Sequence, residues 1–357
     1  MNSYLLSVLS VLLASAAPVS PQQIGWKDPS PHVVKFVTVE ENVQLEVLDW
    51  GGSGPPLVLL AGLGDTAHVF DDLAPELITR HRVLAITRRA HGRSSSPPTG
   101  YGFGRLAEDV VRVIDSLGVR MPIVVGHSFA GEEMHVLGAR YSERIGGLVY
   151  VDAAFNRGDD SDTEVYNVVA RTLPAPAGPE PRDLASYTTL RAFLVRTHGA
   201  AGPEAHLRAR YFTNPDGSVG GQWAPEPPIR QEITKEMRAA YNPYQPEPIR
   251  VPSLAIYAVP KSADDLMRRG SSDRSRFPED FIVRTADDPV VRERVEKLYQ
   301  LTRARVDAHE NWFKAFAPTG RVTEISGPHH LIISNSSEVV QQIEVFVSSQ
   351  FQELPRR

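Results

Sequence analysis

Cysteine is absent from the 357 residues, so the chain has no disulfide, no thiol nucleophile and no cysteine-linked lipid anchor. It also lacks basic excess: 38 Lys and Arg stand against 43 Asp and Glu, a formal charge of −5. Phosphate-backbone affinity comes largely from clustered Lys and Arg, so nucleic acid is set aside as a partner. No segment beyond the N-terminus is long and apolar enough for a transmembrane helix, and no stable membrane span is expected. There is no H-E-x-x-H spacing and no phosphate-cradling loop followed by Lys and Ser or Thr, so neither metal nor cofactor is expected. What is present is ordinary for a globular protein, 41% hydrophobic and 23% charged, without the composition of disorder. The length suits a core of ~250 residues plus an insertion.

The apolar stretch from Tyr4 to Leu13, followed by Ala14-Ser15-Ala16-Ala17, reads as a secretory signal over residues 1–16 with an A-x-A cleavage site. It implies a secreted or periplasmic destination. The start, Met1-Asn2-Ser3, lacks the usual basic residue, and an apolar tail is the plainer alternative. Two runs rich in β-branched residues, Val33 to Val39 and Val43 to Leu48, predict an opening hairpin. Continuous apolar runs at Leu57–Ala61, Val83–Ile86, Ile123–Val125 and Leu148–Val151 have the character of strands buried on both faces. Helical spacing of Leu106, Val110, Val113, Ile114 and Leu117 falls between two of them, which predicts a mostly parallel α/β sheet with crossovers. From 155 to 250 the alternation stops; the stretch is rich in Pro and scattered aromatics, without a strand repeat, and reads as a helical cap inserted into a core of 17–154 and 251–357. The sheet pattern resumes at Leu254–Ala258. A helix is expected from Asp288 to about Phe316, kinked or broken before Trp312, then a last strand at Arg321–Ile325 and a closing helix over Val339–Phe351.

A nucleophilic serine needs a sharp turn that exposes its oxygen, small neighbours that permit the turn, and a following helix whose first amides face the developing oxyanion. Gly126-His127-Ser128-Phe129-Ala130-Gly131 supplies these after the buried run ending at Val125, with Ala130 where the G-x-S-x-G pattern has its last glycine. An N-capping serine in an ordinary strand-to-helix turn is the plainer reading of these residues. With this elbow the sequence resembles the α/β-hydrolase family over nearly its whole expected mature length, which implies an α/β fold with an inserted helical cap. Ala61-Gly62-Leu63-Gly64 is similar to the family's oxyanion turn, which implies one oxyanion amide at Leu63 and the other at Phe129. Arg89-Ala90-His91-Gly92-Arg93-Ser94 resembles the turn after the family's fourth strand, a marker of fold.

Gly327-Pro328-His329-His330 follows the last predicted strand, where a general base can reach the serine. The family spacing, glycine and then histidine three residues on, selects His330, with His329 as its rival. For the acid, the family's G-x-x-D after the seventh strand is here Ala258-Val259-Pro260-Lys261. Asp152, ending the strand Leu148–Val151, is therefore preferred, as in family members with the acid after the sixth strand, and Asp264 comes next. The resemblance implies a serine hydrolase acting on a carboxylic ester or lactone through Ser128, Asp152 and His330, on a partly apolar small molecule. A non-hydrolytic relative, haloperoxidase-like or a lyase, and a binding protein on a degenerate hydrolase fold stay open.

Overall fold

β-Branched and aliphatic runs that leave no polar face have to be covered on both sides, and they form the middle of the sheet. The computed structural model describes residues 26–157, 164, 178–241, 247–267 and 288–351; the signal expected over 1–16 lies outside them. The strands are β1 (Val33–Glu40), β2 (Val43–Gly51), β3 (Pro56–Leu60), β4 (Arg82–Ile86), β5 (Ile123–His127), β6 (Gly147–Val151), β7 (Tyr211–Thr213), β8 (Val219–Gln222), β9 (Ser253–Val259) and β10 (Gly320–Ser326). Eight of them form one sheet in the order β1-β2-β4-β3-β5-β6-β9-β10. The opening hairpin and its join to β4 are antiparallel, and every later pairing is parallel. Every residue of β5, β6 and β9 is buried, whereas the edge strand β10 buries only Ile325.

The labelled helices are α1 (Phe103–Ser116), α2 (Ala130–Arg140), α3 (Tyr187–His198), α4 (Glu204–Arg210), α5 (Pro227–Ala240), α6 (Pro289–Phe316), α7 (Leu331–Ser334) and α8 (Ser336–Phe351), alongside the short helices Ala74–Leu77 and Ala263–Met267. They cover the sheet from both sides. Val110, Met134, Leu137, Val306 and Phe313, from α1, α2 and α6, pack with Val124 and Tyr150 on one face. Phe70, Leu73 and Leu77 pack with Val125 and Val149 on the other, joined by Val339, Ile343 and Phe346 of α8.

Within 155–250, which carries no strand repeat, β7 and β8 form a small antiparallel ribbon beside α3 and α4. One expectation needs correction: α6 is not broken before Trp312. It is one 28-residue helix, started by Pro289 at its first position and by the Asp288 side chain, which accepts from the Val290 amide. No Gly or Pro follows Pro289 to interrupt the ladder, and Trp312 stacks on Phe316 one turn later, with ring centroids 4.8 Å apart.

β6 and β9 pair directly although about a hundred residues separate them in sequence. The chain thus leaves the sheet after Val151 and returns beside the same strand. That path brings the turns after β3, β5, β6 and β10 to one carboxyl edge, the usual place for a site in an open α/β sheet.

Candidate active site

Ser128 follows β5 directly and adopts φ +54, a left-handed conformation that a non-glycine residue enters only in a constrained turn. Its small neighbours are needed by distance. A Cβ on Gly126 would lie 2.2 Å from Met134 Sδ and 2.8 Å from Ala130 Cβ, and one on Gly131 would lie 2.0 Å from the Ala153 carbonyl oxygen. Ala130 itself is fully buried and already fills its space, so the pattern tolerates alanine where glycine is usual. The turn tips Ser128 out of the core to a half-buried position, and α2 starts two residues on.

His329, in the loop after β10, bridges two groups that lie far away in sequence. Its Nδ1–H donates to Asp152 Oδ2 at 2.5 Å, and its Nε2 lies 2.8 Å from Ser128 Oγ. With the proton on Nδ1, Nε2 is left bare to accept from the hydroxyl. Asp152, at φ +45 after β6, is oriented by β9, since its second oxygen accepts from the Ala258 amide at 3.0 Å. Burial opposes its ionisation, but the His329 hydrogen bond and charge, Arg305 and the Ala258 amide outweigh it, and the carboxyl is held below its ordinary value.

The expectation of His330 is therefore corrected. The structure brings Ser128 and Asp152 together through His329, whereas the nearest carboxylate to His330 Nε2 among the described residues is Asp65, at 3.9 Å. The loop after Gly327 is tight: that glycine's amide donates to the Val259 carbonyl, and a Cβ there would lie 2.4 Å from Asn335 Oδ1. His330 is already the residue that caps α7, so the preceding residue points at the serine. Asp264, the second candidate acid, is also set aside. It is exposed on the short helix Ala263–Met267, and its partner is Arg292 at 3.4 Å.

The turn 61–64 passes against Ser128, since a Cβ on Gly62 would lie 3.3 Å from Ser128 Cβ. Among the described residues the amides of Leu63 and Phe129 donate to no other backbone group. Several residues the sequence reading did not single out hold this turn. Buried Arg88 donates to the carbonyls of Ala61 (2.9 Å) and Gly62 (3.4 Å), pairs with Glu133 of α2, and lies over the Phe129 ring at 4.9 Å. The Gly64 amide donates to His91 Nε2 at 3.1 Å, so the other His91 nitrogen carries the proton and donates to the Arg89 carbonyl. His127 sits on the far side. Its Nε2–H donates to the His329 carbonyl at 2.9 Å, and its ring lies 4.7 Å from the His329 ring. Its place inside the G-x-S-x-G pattern was the only signal available for it. Asp65 links the turn to α4, with Arg210 at 3.1 Å and His206 at 3.6 Å.

Four of the buried histidines are held neutral. Burial is the leading cause in each, pushing His91 down to about 4 and His127, His135 and His206 down to about 3, from an ordinary 6.5. The unfolded chain takes up these protons first, so the stability the sites contribute is complete above about pH 6.5 and is lost as pH falls through 6.5 toward 3. Urea unfolding midpoints should fall steadily over that window, and midpoints unchanged between about pH 7 and 4 would contradict the neutral assignments.

Comparison with known proteins agrees with this architecture. A family model described as the alpha/beta hydrolase fold matches residues 55–224. A 2-(acetamidomethylene)succinate hydrolase of Mesorhizobium japonicum is 32% identical over 28% of this chain and 36% of its own length. A non-heme haloperoxidase of Rhodococcus erythropolis is 36% identical over 31% of this chain and 39% of its own. A putative carbamate hydrolase of Caulobacter segnis is 30% identical over 45% of this chain and 65% of its own. The first two matches thus span little more than a third of each relative. Among solved structures, E-2-(acetamidomethylene)succinate hydrolase superposes with a TM-score of 0.57 at 18% identity, over 89% of this chain and 99% of that one. A thioesterase domain from the curacin biosynthetic pathway superposes with a TM-score of 0.51 at 16% identity, over 88% and 99%. The sheet order, the elbow after β5 and these matches show that the chain has the α/β-hydrolase fold.

Proposed function

We propose that this chain hydrolyses a carboxylic ester or lactone through an acyl-enzyme on Ser128. The observation that carries the reading is the single file of Asp152, His329 and Ser128, with contacts of 2.5 and 2.8 Å. Ser128 Oγ attacks the carbonyl carbon while His329 Nε2 takes its proton, and Asp152 holds the imidazole in the tautomer that permits this and balances its charge. The amides of Leu63 and Phe129 receive the oxyanion. Collapse breaks the carbon–oxygen bond, His329 returns the proton to the departing alkoxide, and water repeats the sequence to free the acid.

A partly apolar substrate fits the surroundings. Phe103, Phe129 and Met237 form an apolar cluster to which Leu63, Ile233 and Tyr241 add, so α5 supplies an apolar wall next to both oxyanion amides. Two of the relatives named above are hydrolases, which supports hydrolysis. The relative named a non-heme haloperoxidase favours a second reading, haloperoxidase-like chemistry at the same serine.

The decisive experiment treats the full chain with a fluorophosphonate and maps the adduct by mass spectrometry. One adduct on Ser128 is expected, absent in Ser128→Ala, together with loss of p-nitrophenyl acetate hydrolysis in that variant. Hydrolysis undiminished in Ser128→Ala, or a wild-type chain that takes no label, would overturn the serine mechanism. Halogenation that needs Ser128 in the absence of ester hydrolysis would favour the second reading.

A further inference from the structure

Away from the serine, four metal-ligating side chains converge from two segments of the chain: Asp28 and His32 precede β1, while His68 and Asp71 lie on and just after the 3-10 turn Ala67–Phe70. One donor atom from each lies within 4.8 Å of the other three. We propose that Asp28, His32, His68 and Asp71 form a binding site for one divalent transition-metal cation of the zinc class, clamping the segment before β1 to the segment after the turn 61–64.

Tetrahedral zinc with ligands at about 2.0–2.2 Å sets its donors roughly 3.3–3.6 Å apart, and one donor atom of each residue already lies within 4.8 Å of the others. His68 Nδ1 lies 3.3 Å from Asp28 Oδ2 and hydrogen-bonds Asp71 Oδ2 at 2.8 Å, while His32 faces Asp71 Oδ1 with Nδ1 at 3.0 Å and Asp28 Oδ2 with Nε2 at 3.8 Å, so a bound ion would take one nitrogen of His32 and replace the proton that His68 shares with Asp71. His32 Nδ1 and Asp71 Oδ1, on side chains 4% and 2% exposed, face each other at 3.0 Å, and Asp28 Oδ2 faces His68 Nδ1 at 3.3 Å, so two carboxylates and two imidazoles share one pocket whose charge a cation would balance.

The surroundings orient the ligands. The Ser30 amide donates to Asp28 Oδ1, which turns Oδ2 toward the two histidines. Ser30 Oγ accepts from Trp50 Nε1–H and reaches the Asp71 carbonyl at 3.4 Å, and the Trp50 ring meets His32 edge-on at 5.2 Å. A cleft of about 490 Å³ lined by Asp28, Asp71 and Arg191 gives a path of entry. Two carboxylates neutralise a dication, and the imidazoles favour zinc-class ions over calcium or magnesium. No compact motif announces the site, because its ligands are divided between two stretches of sequence.

The test strips the full chain with a chelator, dialyses it against zinc sulfate and measures bound zinc, then repeats the loading with cobalt(II), whose visible bands report four-coordination. One equivalent of zinc is expected, with a dissociation constant raised at least ~10-fold by Asp28→Asn or His32→Gln and unchanged by His330→Asn. The His330 variant separates this site from Asp65, His127 and His330, which also converge. Zinc should raise the melting temperature of the wild-type chain and not that of the cluster variants, whose folding is checked by circular dichroism. A wild-type chain that retains no zinc, or retains as much in the cluster variants, overturns the site, and so does loss confined to His330→Asn. If the variants do not fold, cobalt in the wild-type chain decides: absence of four-coordinate bands overturns the proposal.

Discussion

His329→Ala should lower kcat/KM for a short-chain p-nitrophenyl ester by about 10⁴- to 10⁶-fold, while His330→Ala should stay within about tenfold of wild type. The two residues are adjacent, alike in chemistry and both partly exposed, and they differ in what they face. His329 is held at three points: Asp152 at Nδ1, Ser128 at Nε2, and His127 at its backbone carbonyl. Removing it leaves the serine hydroxyl without an acceptor. His330 touches no reacting atom, and its closest carboxylate among the described residues is Asp65 at 3.9 Å. Its loss changes the setting of the turn 61–64 without removing a proton acceptor. Parallel kinetics on the two variants check this, and an equal loss in both, or a larger one in His330→Ala, would contradict the relay through His329.

Asp152→Asn should lower kcat by about 10⁴-fold with little change in KM. An asparagine amide can donate where the carboxylate accepts, so the imidazole turns to the tautomer with Nε2–H facing Ser128 and can no longer take its proton. The charge that steadies the imidazolium is lost as well. Asp264→Asn should be silent, because that carboxylate is exposed and engages only Arg292 at 3.4 Å among the described residues. Full turnover by Asp152→Asn, or a comparable loss in Asp264→Asn, would move the acid elsewhere.

Much of this architecture was legible because it rests on short-range demands. Strands buried on both faces must be continuous apolar runs, and β3, β4, β5, β6 and β9 were found from them. The turn at Ser128 needs small residues at set offsets for steric reasons, which Gly126, Ala130 and Gly131 meet within six residues. The rest is set by interactions through space. β7 and β8 are too short for a periodic signal, and the unbroken α6 owes its continuity to Asp288, Pro289 and packing against the core.

Ser128 at an elbow, the two glycines beside it, the glycine turn at 61–64 and the parallel sheet were thus determined by the amino-acid sequence alone, since each follows from local sterics or from which residues must avoid water. The choice of His329 over His330, and the placing of Asp152 against it, were decided only by the tertiary structure. A one-residue shift in a loop reverses the direction of a side chain at almost no cost in local propensity, and the outcome depends on where the ends of β6, β9 and β10 meet. The convergence of Asp28 and His32 with His68 and Asp71 has the same origin. No spacing rule joins such residues, and only the packing of the chain before β1 against the turn after β3 brings them within reach of one another.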